Sequence, residues 1–200
     1  VMTMLDSFDP ANVRSLIGGN AMESASKAQV LNPHNGETIA QLHLANETDA
    51  AAAVTTAKAA WQAWAAVPPV ERGRILHMAC NLIESRADEL SAIVAQEAGK
   101  PLKDAKGETA GAIQCGRFFA GEGQRLFGRT MPSGALNKSA MTIRQPCGVA
   151  ALITAANTPA PNFAWKVFPA LICGNAVVLK PAEDTPISAD WIARALIQAG

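Results

Sequence analysis

The stretch AVVLKPAEDTP, residues 176–186, ends an apolar run on a lysine, pins it with Pro181 and sets Glu183 three positions on. An ammonium and a carboxylate at that spacing can grip a sugar: Lys180 donates to hydroxyl oxygens while Glu183 accepts from hydroxyl hydrogens. A carboxylate suits an unphosphorylated ribose 2′-hydroxyl and repels a 2′-phosphate, so the pair favours NAD over NADP. The plain alternative is a lysine snorkelling from a strand end beside a loop carboxylate. Asn157, in TAANTPAP, is a second chemistry-bearing residue. Its side-chain amide can donate to a developing oxyanion. It can equally close a turn on its own backbone, and spacing does not choose.

These residues need elements to bring them together. GVAALIT (148–154) reads as a short strand of the kind buried on both faces of a parallel sheet. The loop AANTPAP, stiffened by Pro159 and Pro161, leads to a helix NFAWKVFPALIC that Gly174 ends. The strand AVVLK follows, and then Thr185 caps and Pro186 opens the helix PISADWIARALIQA. A βαβα unit of this kind makes both strands parallel and puts their carboxyl ends on one sheet edge, where open α/β folds bind ligands. Asn157 and Lys180 are thereby expected at one crevice.

Upstream, residues 14–44 read as strands and tight turns. VLNPHNGETIAQLHL carries turn chemistry at Pro33 and Asn35-Gly36, with Ala40, Leu42 and Leu44 alternating on one strand face. His34 and His43 fall in this exposed hairpin, without a ligand or dyad partner at useful spacing. Residues 46–127 read as helices. Asn46 or Thr48 caps the first, which runs to Ala66, and Pro69 opens the second, striped by Ile75, Leu76, Ala79, Leu82 and Ile83. Ser85 and Asp88 look like a capping box for the third, closed by Gly99 and Pro101. A fourth spans 102–127, its glycines suggesting close approach of another backbone. Trp61 and Trp64 read as core or rim. GEGQRLFG is not a dinucleotide fingerprint, because Leu126 stands where a glycine is needed and the stretch follows a helix. SAMTIRQ (139–145) reads as a strand ended by Pro146, with an edge left unpaired or paired between molecules.

Composition narrows the function classes. Lys plus Arg and Asp plus Glu both number 17, so no excess of positive charge advertises nucleic acid or an anionic membrane. No apolar run has the length of a membrane span, and Asp6 and Asp9 argue against a signal peptide. Cys80, Cys115, Cys147 and Cys173 lack metal or disulfide spacing. A cytoplasmic location is expected, with no metal.

The run RQPCGVAALITAANTPAPNFAWKVFPALICGNAVVLKPAEDTPISA resembles the aldehyde dehydrogenase superfamily's P-x-G-V, asparagine-proline loop, W-K, P-A-L, G-N and V-V-x-K-P-A-E-x-T-P pattern. EAGKPLKDAKGETAGA is similar to that family's helical segment. The resemblance covers nearly the whole chain. It implies an α/β fold in which these residues form the N-terminal portion: strands and a helical cap over 1–137, an oligomerisation strand at 138–147, and the first βαβα unit of a Rossmann-like NAD-binding domain at 148–200.

The same resemblance makes Asn157 the oxyanion donor, acting with a backbone N–H at the nucleophile. Lys180 and Glu183 become ligands of the adenosine ribose, with Ala182 in the same cofactor loop. Ile153, Thr154, Ala155 and Ala156 line the nicotinamide-side approach. Lys166 matches a lysine near the reaction centre that assists proton movement, or is a helix-surface lysine. Trp165 matches a wall of the aldehyde tunnel, or packs in the core. Ala155, Ala156 and Thr158 replace the proline and aromatics common around the asparagine, which implies a wider or more polar passage.

The implied reaction is NAD(P)-dependent oxidation of a small aldehyde to a carboxylic acid through a cysteine thiohemiacetal and thioester, NAD being favoured and NADP left open. A homodimer or homotetramer is the implied assembly. The implied nucleophile, general base and pyrophosphate-contacting helix start lie beyond residue 200, and none of the four cysteines has the nucleophile's context. The 200 residues are therefore expected to bind and orient and to be inactive alone. Two alternatives are a non-catalytic nucleotide-binding or assembly module and a coenzyme-A-acylating relative.

Overall fold

The computed structural model describes residues 3–200. Five short strands come first: β1 (Asn12–Val13), β2 (Ser15–Ile17), β3 (Asn20–Met22), β4 (Lys27–Leu31) and β5 (Thr38–His43). β5 is central in one sheet, parallel to β1 and antiparallel to β4, while β2 and β3 form a separate ribbon. Gly18 and Gly19, at φ 58° and 81°, make the two-residue turn of that ribbon, a left-handed pair that matches strand twist. The turn expected at Asn35-Gly36 is present, with Gly36 at φ 74°.

The face of β5 differs from the alternation expected of it. Ala40 is buried and Leu42 half-buried, but Leu44 is exposed and His43 is 3% exposed. Leu44 lies beyond the strand, whereas His43 Nδ1 is drawn in to accept from Ser24 N at 3.0 Å, with Glu23 Oε2 at 3.3 Å. The histidine is thus a packed element of the sheet.

Four helices follow. α1 (Glu47–Ala66) begins at Asn46, whose side chain accepts from Asp49 N at 3.0 Å while Asp49 Oδ2 accepts from Asn46 N at 2.9 Å. That reciprocal box ends the choice between Asn46 and Thr48. α2 (Pro69–Ser85) opens on proline at its first position, where the missing N–H costs nothing. α3 (Ala87–Ala98) has no side-chain cap, contrary to the expected box. Only Arg86 separates α2 from α3, so Ser85 still belongs to α2 and its hydroxyl donates to Leu82 O at 2.8 Å. Gly99, at φ 64°, closes α3. α4 (Leu102–Gly121) is shorter than expected and passes into a 3₁₀ turn, Glu122–Gln124.

β6 (Thr130–Pro132) and β7 (Ser139–Met141) then pair as an antiparallel ribbon, all six residues exposed. β6 went unread in the sequence, and β7 covers only the start of SAMTIRQ, because its partner strand ends where Arg129 and Thr142 close the ribbon. The chain finishes with β8 (Val149–Ile153), α5 (Pro159–Ile172), β9 (Ala176–Lys180) and α6 (Pro186–Ala199). β8 and β9 are parallel, as expected. β8 is not buried on both faces: Ala151 is exposed and Ile153 is 66% exposed, since among the described residues the strand has one neighbour.

One apolar core joins α2, α3 and α4 to α5 and α6 through Leu76, Leu90, Val94, Ile113, Phe168 and Trp191, each worth roughly 1.5–3 kcal/mol on burial. Arg72, also buried, stitches helix ends together: Nε donates to Ile172 O at 3.0 Å and Nη1 to Val67 O at 2.5 Å, satisfying carbonyls at the ends of α5 and α1. Only some α4 glycines mark close approach. A Cβ on Gly116 would stand 2.7 Å from Cys80 Sγ and 2.9 Å from the Phe168 ring, while Gly107 and Gly111 face open space. Gly116→Ala is therefore expected to lower the unfolding free energy by about 1–3 kcal/mol despite alanine's better helix propensity. Chemical denaturation of the variant decides it, and a gain in stability would show that α2 and α5 can move apart freely.

Candidate functional site

The register of β8 and β9 builds the site. Ile153 lies opposite Lys180, and Thr154 N donates to Lys180 O at 3.2 Å, so both strands deliver their carboxyl ends to one edge. Lys180 Nζ lies 2.8 Å from Glu183 Oε2, and the two side chains remain 63% and 71% exposed. The lysine hydrogen bond holds the Glu183 carboxyl below the usual carboxylate range, so it is an anion and a free acceptor at neutral pH. Ala182 is half-buried between them, its carbonyl accepting from Thr185 N at 3.2 Å. An ion pair this open spends little on mutual attraction and keeps donors and acceptors for a ligand.

Lys166 reaches the same edge. Its Nζ donates to Ile153 O at 2.7 Å, so the exposed ammonium sits on the last residue of β8, across from Lys180. Thr154 is buried; Ala155 is exposed and Ala156 half-buried in the turn that follows. Asn157 is exposed immediately before the α5 N-cap, Thr158.

The helix after Asn157 starts three residues earlier than the sequence suggested. Pro159 and Pro161 are its first turn, where absent N–H groups would have been orphans in any case, and they do not stiffen a loop. As a result Asn162 lies within that turn and points its amide back. Asn162 Nδ2 is 3.2 Å from Asn157 Oδ1, 3.3 Å from Ala155 O and 3.1 Å from Thr158 Oγ1. With its oxygen engaged, the Asn157 amide is left presenting Nδ2, a donor. Asn157 O in turn accepts from Lys100 Nζ at 2.8 Å, and the same ammonium pairs with the Glu108 carboxylate.

Asn162, Lys100 and Glu108 were missed in the sequence. Asn162 was findable by letting the helix begin at Pro159. Lys100 and Glu108 lie in the helical segment EAGKPLKDAKGE, and nothing local ties them to a loop 57 residues away.

Beside this loop, an open groove of about 550 Å³ runs between α4 and α5, lined by Lys103, Asp104, Gly107, Glu108, Gly111, Pro161 and Trp165. Trp165 is 56% exposed and walls the groove, so it is not a core residue. The cysteines lie elsewhere. Cys80 is buried, which pushes its thiol up to about 12, and burial also raises Cys115. Cys147 and Cys173 are exposed, and Cys173 stands at the C-cap of α5.

The α6 N-terminus corrects one further expectation. Thr185 is buried at the N-cap but makes no side-chain cap bond. Glu97, from α3, takes that place: Oε2 accepts from Ile187 N at 2.8 Å and Oε1 from Ser188 N at 3.2 Å. Thus α3 holds the helix that follows the Lys180–Glu183 loop.

The sequence profile of the aldehyde dehydrogenase family matches residues 21–200. Among known relatives, an α-ketoglutarate semialdehyde dehydrogenase of Haloferax volcanii is 44% identical over 89% of this chain and 37% of its own length. A succinate-semialdehyde dehydrogenase [NADP(+)] of Escherichia coli is 38% identical over 94% of this chain and 39% of its own. A solved NADP-dependent enzyme of E. coli superposes with a TM-score of 0.93 at 37% identity, covering 96% of this chain and 40% of that one. The chain thus spans about two-fifths of the length of the relatives it matches. A fold shared at this closeness and a sequence profile over most of the residues lead to one assignment: the chain belongs to the aldehyde dehydrogenase family.

Proposed function

We propose that these residues form the cofactor-gripping and oxyanion-binding part of an enzyme that oxidises a small aldehyde to a carboxylic acid, NAD being the favoured acceptor. The observation that carries this reading is the pairing of Ile153 with Lys180, which sets the open Lys180–Glu183 pair and the presented amide of Asn157 on one sheet edge.

The residues fit a dinucleotide. Lys180 and Glu183 would hold the adenosine ribose, the carboxylate accepting from the 2′-hydroxyl, with Ala182 beside them. Ile153, Thr154, Ala155 and Ala156 would flank the nicotinamide-side approach. When bound, the nicotinamide supplies the hydride acceptor. Asn157 Nδ2 would stabilise negative charge on the former carbonyl oxygen of the substrate. Lys166 would lend positive charge and a proton donor at the end of β8, and Trp165 one wall of the passage by which the aldehyde enters.

A thiolate is the nucleophile this chemistry calls for, and none of the four cysteines supplies it: burial keeps the Cys80 and Cys115 thiols hard to ionise, and Cys147 and Cys173 precede β8 and β9, at the strand ends away from Asn157. The nucleophile is therefore assigned outside these 200 residues, which alone would bind without turning over. Self-association is assigned to the β6–β7 ribbon, whose outer edges are unpaired among the described residues and whose Met141 is 69% exposed.

The test is an assay of the natural protein that carries this chain, with semialdehydes and other small aldehydes, for aldehyde-dependent NADH formation. No NADH with any of them would sink the reading. A separate expectation concerns the ribose site. Glu183→Gln should weaken NAD by about 10-fold and narrow its advantage over NADP, because the charge that repels a 2′-phosphate is gone. Fluorescence titration with both dinucleotides measures it, and an unchanged ratio would place the ribose elsewhere.

A further inference from the structure

We propose that Lys100 and Glu108 are a positioning pair for the Asn157 loop. This rests on the reading of Asn157 as the oxyanion donor and adds the device that aims it.

The loop from Thr154 to Thr158 needs such a device. It links β8 to α5, and both Ala155 and Asn157 are exposed, so packing does not fix it. Asn162 restrains it from the helix side, holding Asn157 Oδ1 and Ala155 O. Asn162 also holds Thr158, through Oγ1 at 3.1 Å and O at 2.9 Å, but none of these bonds touches the Asn157 carbonyl, and a turn of that peptide would swing the Asn157 amide as a whole. Lys100 blocks the motion by donating to Asn157 O at 2.8 Å from the joint between α3 and α4. With a side-chain atom and the main-chain carbonyl of one residue both held, Nδ2 has a single direction.

The lysine is itself fixed. It occupies the joint between Gly99, which closes α3 in the left-handed conformation at φ 64°, and Pro101, whose ring fixes φ at −56° as α4 begins. Its ammonium is shared between Asn157 O and the Glu108 carboxylate, and both charged side chains are 16% exposed. A pair that sheltered is weakly screened and keeps its geometry. Glu108 projects from α4, whose contact with α5 belongs to the main core, so the aim of Asn157 is referred to the rigid helices rather than to the loop. Neither side chain bonds to a candidate reacting group other than through the Asn157 carbonyl, which makes them positioning residues.

A double-mutant design in the natural protein tests the idea. Lys100→Met with Glu108→Gln removes the pair without leaving one charge unbalanced. It is expected to lower kcat by about 10-fold with the dissociation constant for NAD unchanged within about 2-fold, and to cost less than about 2-fold when Asn157 is already alanine. Equal losses in both backgrounds would mean a general structural effect and overturn the proposal. So would an undiminished kcat. Lys100→Arg, which keeps a cation and donors, should recover most of the loss.

A crystal structure of the Lys100→Met, Glu108→Gln protein reads the same device without catalysis. Asn157 should shift by about 1 Å or more from its wild-type position. An unaltered Asn157 overturns the proposal whatever the activity. A displaced Asn157 in a natural protein that forms no NADH would uphold the clamp while removing the proposed reaction.

Discussion

Asn157→Ala in the natural protein is expected to slow aldehyde oxidation by about 10²–10³-fold, the cost of removing one preorganised oxyanion donor. The loss should fall on kcat and on kcat/KM alike, because a donor aimed at developing charge acts mainly in the transition state. Dinucleotide affinity should stay within about 2-fold, since the proposed ribose grip is Lys180, at the end of the neighbouring strand, with Glu183 in the loop after it. The fold should tolerate the change: Asn157 is exposed, and Asn162 retains Ala155 O and Thr158 Oγ1 as partners. Steady-state kinetics with a cofactor titration separates these quantities. A loss below about 5-fold in kcat would return Asn157 to the role of a turn residue.

Glu97→Ala should produce the largest loss of stability among the substitutions considered, about 3–5 kcal/mol. The carboxylate is 2% exposed and satisfies two N–H groups at the start of α6. Alanine would leave both donors buried without partners and open a void between α3 and α6. The same group makes stability depend on pH. Burial raises its pKa from an ordinary 4.5 to about 7, against the opposing pull of the N–H groups. Between those values the folded protein holds a proton that the unfolded chain releases. The stabilisation from that proton is complete below about pH 4.5 and is lost as pH rises through about 7. Denaturation of the wild type and Glu97→Gln across pH 4–8 exposes the difference: the glutamine protein should lack this downward slope. Parallel curves would remove Glu97 as its source.

The candidate site was legible in the sequence where local patterns define it. Two short apolar runs separated by a helix fixed the parallel pairing, and Lys180, Glu183 and Asn157 follow from where those runs stop. Caps written in neighbouring residues, such as Asn46 with Asp49 or Gly99 after α3, were equally readable. What escaped were pairings between distant segments. Glu97 performs for α6 the task that Thr185 was expected to perform, and 88 residues separate them, as the numbering shows. His43 was assigned to an exposed hairpin because its strand was read without β1, the neighbour that makes β5 central. The start of α5 was misjudged for a different reason: prolines stop helices in the interior and start them at the first turn, and only the position decides which.

The helix-end carbonyls held by Arg72 also bear on how the chain is made. Its partner Ile172 O lies 100 residues downstream, Glu97 waits 90 residues for Ile187, and Leu5 N bonds Gln198, 193 residues away. During synthesis at about 5–20 residues per second, the last of α2, α3 and α4 is complete roughly 4–16 s before α6 is available to cover them. For that interval the faces they turn toward α5 and α6 lack their cover, although α4 already packs on α2 and α3, and the nascent chain is expected to be prone to association. Slowing translation between α4 and α5 would lengthen the exposure and favour aggregation, while leaving the stability of the finished fold untouched.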